Sequence, residues 1–134
     1  MNTYINPYIL KLIEKAIAGE AEDYAFYTAL AEKCPDNAEM LNDIAADELK
    51  HKKMLDSLYE DLTGAPPSKT TLNVSEDISG SCADIFKDRV KEELDGAAMY
   101  RTLYFALHDK AYKNMIFEIM TDEIMHAIRL GALS

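Results

Sequence analysis

Apolar residues recur at alternating steps of three and four along four stretches of this 134-residue chain. That spacing places them on one face of a helix, so the pattern predicts four long amphipathic helices. Asn6-Pro7 is a typical helix start, and Cys34-Pro35 a typical stop. The predicted helices cover about residues 7–33, 36–62, 81–108 and 110–130.

The segments between the helices predict how the helices are arranged. Asp36 is expected to cap the second helix and Asp109 the fourth, each after a short connection. Residues 63–80 hold two prolines and several small polar residues, which predicts a long loop. Short, long and short connections predict two antiparallel helix hairpins joined by a crossover, an all-α four-helix bundle. We expect residues 1–134 to form a single domain.

Each helical stripe is apolar or aromatic except for one Glu, or one Glu and one His. The polar members are Glu20 in the first stripe, Glu48 and His51 in the second, Glu93 in the third, and Glu123 and His126 in the fourth. The second and fourth helices carry nearly the same phrase, Asp-Glu-x-x-His, in which Glu and His point the same way. The two halves of the chain therefore read as copies of one helix pair.

Four carboxylates in an apolar core are costly, since each unpaired buried charge is worth several kcal/mol. No Lys or Arg occurs in the stripes to neutralise them. Two divalent ions would balance the four glutamates and leave two neutral imidazoles. Oxygen and imidazole donors suit iron or manganese, and zinc can replace them. The sequence thus predicts a two-metal site, whereas a purely structural bundle is the weaker interpretation.

Several acids and tyrosines close to the predicted ligands could either take part in the metal site or have an ordinary structural role. Glu92 competes with Glu93 but lies on a more polar stripe, so Glu92 and Asp95 are reserve carboxylates. Asp47 and Asp122 could accept the second ring N–H of a ligand histidine, or could be solvated acids. Tyr27 and Tyr100, with Tyr24, could hydrogen-bond ligand carboxylates, or could be plain core aromatics.

The composition of the chain argues against several classes of function. A net charge of −10 argues against nucleic acid and anionic membranes, and no apolar run is long enough to span a bilayer. Cys34 and Cys82 form no C-x-x-C pair, so their spacing predicts neither a disulfide nor a zinc site. A cytoplasmic location is the default expectation.

The combined motifs resemble the ferritin-like di-iron superfamily, and within it the rubrerythrin and bacterioferritin groups. The resemblance covers nearly the whole chain. It implies a ferritin-like bundle in which Glu48 and Glu123 bridge two irons, Glu20 and Glu93 are terminal ligands, and each His binds one iron. The implied chemistry is reduction of peroxide or dioxygen by the ferrous pair, with ferroxidation as the alternative. A homodimer is expected.

The chain departs from these groups in ways that affect the expected mechanism. Rubrerythrins usually carry a rubredoxin domain, and this chain has no C-x-x-C pairs, so a separate rubredoxin-like donor is expected. They also carry a further carboxylate about three residues after the third-helix ligand, where this chain has Gly96 if Glu93 is the ligand, or Asp95 if Glu92 is. A storage cage is not expected because the chain stops shortly after His126, and no suitably placed Met suggests haem.

Overall fold

The computed structural model describes residues 5–70 and 78–134, which contain four α-helices, one short 3-10 helix and no strand. The predicted all-α class is therefore confirmed. The elements in chain order are α1 (Pro7–Lys33), the 3-10 helix (Pro35–Asn37), α2 (Ala38–Thr63), α3 (Cys82–Ala106) and α4 (Lys110–Leu133). Within residues 5–70 and 78–134, none of the helices has the length and apolar character of a membrane span.

The chain divides into two compact units, Met1–Glu76 and Asp77–Ser134. In the first unit α1 packs against α2, and in the second α3 packs against α4, which confirms the two predicted hairpins. Each hairpin has an apolar interior with residues such as Ile17 and Leu55 in the first, and Leu103 and Ile119 in the second. Part of the predicted crossover loop, residues 71–77, lies outside the described residues. The single domain stays a prediction.

Local signals explain most helix ends. The Asn6 side chain accepts a hydrogen bond from the Tyr8 amide, with Pro7 at the first helical position, as predicted. Ser81 caps α3 by accepting from the Asp84 amide. α2 ends at Gly64, whose φ of 78° is the left-handed conformation that glycine adopts at helix ends without steric cost.

The predicted helix ends differ from the structure by up to three residues, and α4 continues to Leu133 instead of ending near residue 130. Asp36 does not cap α2, because residues 35–37 form a 3-10 turn and the N-cap of α2 is Asn37, which makes no side-chain cap bond. α3 ends at Ala106 rather than residue 108. The Lys113 ammonium, from the first turn of α4, donates to the Tyr104 and Leu107 carbonyls at 2.6 and 3.2 Å. These bonds satisfy carbonyls that the end of α3 leaves without helical partners.

The expectation for the cysteines was also wrong. Cys34 and Cys82 are both disulfide-bonded, and the structure has no free cysteine among the described residues. The absence of a C-x-x-C pair did not exclude disulfides. A disulfide requires that two cysteines be close in space, and cysteines far apart in sequence can meet that requirement. Disulfides are more usual in oxidising compartments, so the cytoplasmic location stays a prediction.

A hydrogen bond at the surface links α1 and α2. The Tyr59 hydroxyl donates to the Glu14 carboxylate at 3.1 Å. This hydrogen bond raises the pKa of Tyr59, because it stabilises the protonated phenol beside an anion.

The cap of α4 gives a test of these boundaries. Asp109 accepts from the amides of Ala111 and Tyr112 at 2.8 and 3.3 Å. We expect Asp109→Ala to lower the free energy of unfolding by about 1 kcal/mol, measured by urea denaturation, because two amides lose their acceptor. Asp36→Ala is the control and should change it by less than about 0.5 kcal/mol. Equal losses in both variants would contradict the assigned caps.

Candidate metal centre

The structure buries all six polar residues of the four stripes. Their side chains belong to residues between 0 and 3% exposed, and within the described part of the chain they are the only buried polar or charged residues: Glu20, Glu48, His51, Glu93, Glu123 and His126. The remaining buried residues are apolar or aromatic. The stripes therefore predicted correctly which face of each helix turns inward.

The first hairpin brings together three of these residues, which we call the first half-site: Glu20 on α1, and Glu48 and His51 on α2. The His51 Nδ1 atom lies 3.5 Å from Glu20 Oε2 and 3.5 Å from Glu48 Oε1. One donor atom from each residue lies within 4.8 Å of the others. His51 follows Glu48 by three residues, so helical geometry alone places both on the face toward α1.

The second hairpin repeats this arrangement in a second half-site: Glu93 on α3, and Glu123 and His126 on α4. The His126 Nδ1 atom lies 3.7 Å from Glu93 Oε2. Donor atoms of these three residues also lie within 4.8 Å of one another. In both half-sites, then, Nδ1 of the histidine faces the glutamate contributed by the opposite helix.

The donor set of each half-site fits a divalent cation. Two ionised carboxylates and a neutral imidazole carry a charge of −2, which one divalent ion balances. The separations of 3.5 and 3.7 Å exceed the roughly 2.7–3.2 Å of ordinary N–H···O hydrogen bonds. No lysine or arginine is buried among the described residues. Carboxylate oxygen and imidazole nitrogen are ligands that iron and manganese accept.

The third-helix alternatives separate clearly by exposure. Glu93 is buried, whereas Glu92 and Asp95 are exposed. Asp95 accepts a hydrogen bond from Lys91 at 2.9 Å, and this bond raises the pKa of Lys91. The structure thus places Glu93 in the half-site and the two reserve acids at the surface. Their roles toward metal remain predictions.

The other predicted residues lie around the half-sites. Tyr27 and Tyr100 are buried, and the Tyr27 ring packs edge-on against Phe26 with ring centres 5.6 Å apart. Asp47 and Asp122 are half-buried, as the edge of a stripe requires. Tyr24 is also half-buried. The proposed hydrogen bonds of these residues to ligand side chains stay predictions.

A comparison with protein families agrees with this arrangement. The family model described as Rubrerythrin matches residues 11–134, which is most of the chain. No curated protein matches the chain.

The two adjacent acids of α3 provide a direct test of the site. We expect Glu93→Gln to weaken Fe²⁺ or Co²⁺ binding by more than roughly 10-fold, the loss typical even of residues that only support metal ligands. Glu92→Gln removes the same charge one residue away and should leave binding within about twofold, because exposed charges are screened by solvent. Anaerobic calorimetric titration measures both. The reverse order would mean that the α3 register is wrong by one residue.

Proposed function

Because the chain belongs to the rubrerythrin family, a family of ferritin-like di-iron proteins, we propose that it is an oxidoreductase that reduces peroxide or dioxygen. The observation that carries the proposal is the repeated set of two glutamates and one histidine buried in each hairpin. In this proposal the two hairpins hold two iron ions per chain.

The ligand roles in the proposal follow the family motifs. Glu20, Glu48, Glu93 and Glu123 would hold the ions through carboxylate oxygens, with Glu48 and Glu123 in the bridging role that the family motifs imply, and each histidine would bind through Nδ1, the ring atom that faces the glutamates. Manganese or zinc could occupy the same donors. When bound, the ferrous pair supplies the two electrons that reduce a peroxide O–O bond.

The chain's own residues prepare the site for this chemistry. The apolar residues around each half-site exclude bulk water, and exclusion of water strengthens the attraction between carboxylates and cation. Carboxylates can shift between one and two oxygen contacts, so they can adjust as the charge on the metal changes. Tyr27 and Tyr100, one buried in each hairpin, are proposed to hydrogen-bond the ligand carboxylates and hold their orientation.

A ferroxidase or iron-binding module is the second candidate. Gly96 favours it, because this position has no carboxylate of the kind that rubrerythrins usually carry there. The proposed peroxidase needs an external electron donor such as a rubredoxin-like protein, whereas a ferroxidase needs none. We further propose a homodimer in the cytoplasm, which light scattering and cell fractionation would test.

Metal content is the first test of the proposal. Protein reconstituted anaerobically with Fe²⁺ and then desalted should contain close to two irons per chain by elemental analysis. Glu48→Gln and Glu123→Gln should each lower that content, since each removes an anionic ligand from one half-site. Helix content in chelator, measured by circular dichroism, should be preserved in both variants. Wild-type protein with almost no iron would overturn the proposal.

Oxidation kinetics separate the two candidate functions. Stopped-flow absorbance should show the ferrous protein oxidised by stoichiometric hydrogen peroxide about 10-fold or more faster than by equimolar dioxygen if it is a peroxidase, a difference of about 1.4 kcal/mol in activation free energy. Repeated turnover should then follow when a reduced rubredoxin-type donor is supplied. Faster oxidation by dioxygen, without turnover, would favour the ferroxidase instead.

A further inference from the structure

The internal repeat aligns residues of the first hairpin with residues of the second. At one aligned position near the half-sites, the two hairpins have different residues. Glu20 of α1 corresponds to Glu93 of α3, and the tyrosine seven residues later is present in both helices. Three residues after the glutamate, however, α1 has Asp23 and α3 has Gly96. Residues three apart on a helix lie on the same face, one turn along.

The second hairpin shows where a side chain at this position points. A Cβ atom built on Gly96 lies 3.7 Å from Glu123 Oε2 and meets no other atom outside its own helix within 4 Å, among the described residues. The position therefore directs its side chain at the half-site glutamate of the opposite helix. Glycine leaves that space open in the second hairpin.

Asp23 occupies the equivalent place in the first hairpin, where the opposite glutamate is Glu48. Asp23 is half-buried, whereas its neighbour Glu22 is exposed, so Asp23 lies on the side of α1 nearer the interior. We infer that Asp23 is a further carboxylate that reaches the ion of the first half-site when metal binds, since its oxygens lie outside the cluster of donor atoms that Glu20, Glu48 and His51 form in this structure. This inference rests on the proposed function, because it concerns binding at the same metals.

The difference makes the half-sites chemically unequal despite their matching ligands. With Asp23 turned toward the ion, the first half-site would carry a charge of −3, against −2 for the second. A hard divalent cation binds more tightly where more anionic oxygens are available. The first half-site should therefore fill first and hold its ion longer. At the second half-site, the space beside Gly96 is available to a small external ligand such as azide.

The test compares stepwise metal affinity in matched variants of the full chain. Anaerobic titration of the wild-type protein with Co²⁺ should show two binding steps of unequal affinity. Asp23→Asn should weaken the tighter step by about 10-fold or more and bring the two steps together. Glu22→Gln, which removes the same charge from the exposed neighbour, should leave both steps within about twofold.

Substitutions at Gly96 test the converse, the addition of a carboxylate to the second half-site. Gly96→Asp should tighten the weaker step by about 10-fold and suppress the azide-dependent change in the Co²⁺ absorption spectrum. Gly96→Ala is its control and should leave the affinities unchanged. The alanine should also stabilise the protein in chelator, because the added Cβ meets only an ordinary contact and alanine favours the helix interior over glycine. The midpoint of thermal unfolding would therefore rise.

Each outcome decides a specific point. If the wild type binds two ions and Asp23→Asn behaves like Glu22→Gln, the inference is overturned and the proposed function stands. If Asp23→Asn lowers thermal stability in chelator without changing either affinity, Asp23 is structural and the inference is again overturned. If the wild type binds no metal, the inference and the proposed function both fail.

Discussion

The free-energy cost of burying ionisable groups is the constraint on which the rest of this structure depends. Six such groups lie in the interiors of the two hairpins, and four of them are glutamates. Removing an ion from water costs several kcal/mol, even after the protein relaxes around it. A domain whose total stability is about 5–15 kcal/mol cannot carry four such penalties without compensation. The apolar packing of the hairpins supports these groups, and the proposed cations would offset much of the cost of burying them.

The internal repeat divides the six buried ionisable groups into two similar sets of three, one in each hairpin. Each hairpin brings three donor atoms together from residues close in sequence, since His51 follows Glu48 by one turn and His126 follows Glu123 likewise. Such local clusters need only one helix-to-helix contact to form. One hairpin can therefore differ from the other without disturbing the other's cluster, as Asp23 in the first and Gly96 in the second do.

Helical periodicity accounts for most of what the sequence could predict. It placed Glu93 inside and Glu92 outside because neighbouring residues on a helix point about 100° apart. The cap at Asp109 was predictable because capping is a local interaction. The 3-10 turn before α2 was missed because Asp36 and Asn37 are both favourable N-cap residues by sequence. Which of them precedes the helix depends on the backbone conformation after Cys34. The disulfide-bonded cysteines were missed because only the folded chain determines which residues meet. Periodicity identifies the buried donor residues and not the ion that they are proposed to bind.

The orientation of the two imidazoles has a mechanical consequence. Nδ1 is bonded to Cγ, the ring carbon attached to Cβ. A histidine that binds through Nδ1 therefore holds its ion close to the helix backbone, with few rotatable bonds between them. The glutamates of each half-site reach the same region through a longer chain with more rotatable bonds. Small displacements of α2 or α4 would therefore be transmitted to the ion mainly through nitrogen, while the carboxylates absorb changes in coordination. In the proposed metal site, the helix backbone near His51 and His126 would be the rigid part, and the carboxylate oxygens would be the part that adjusts.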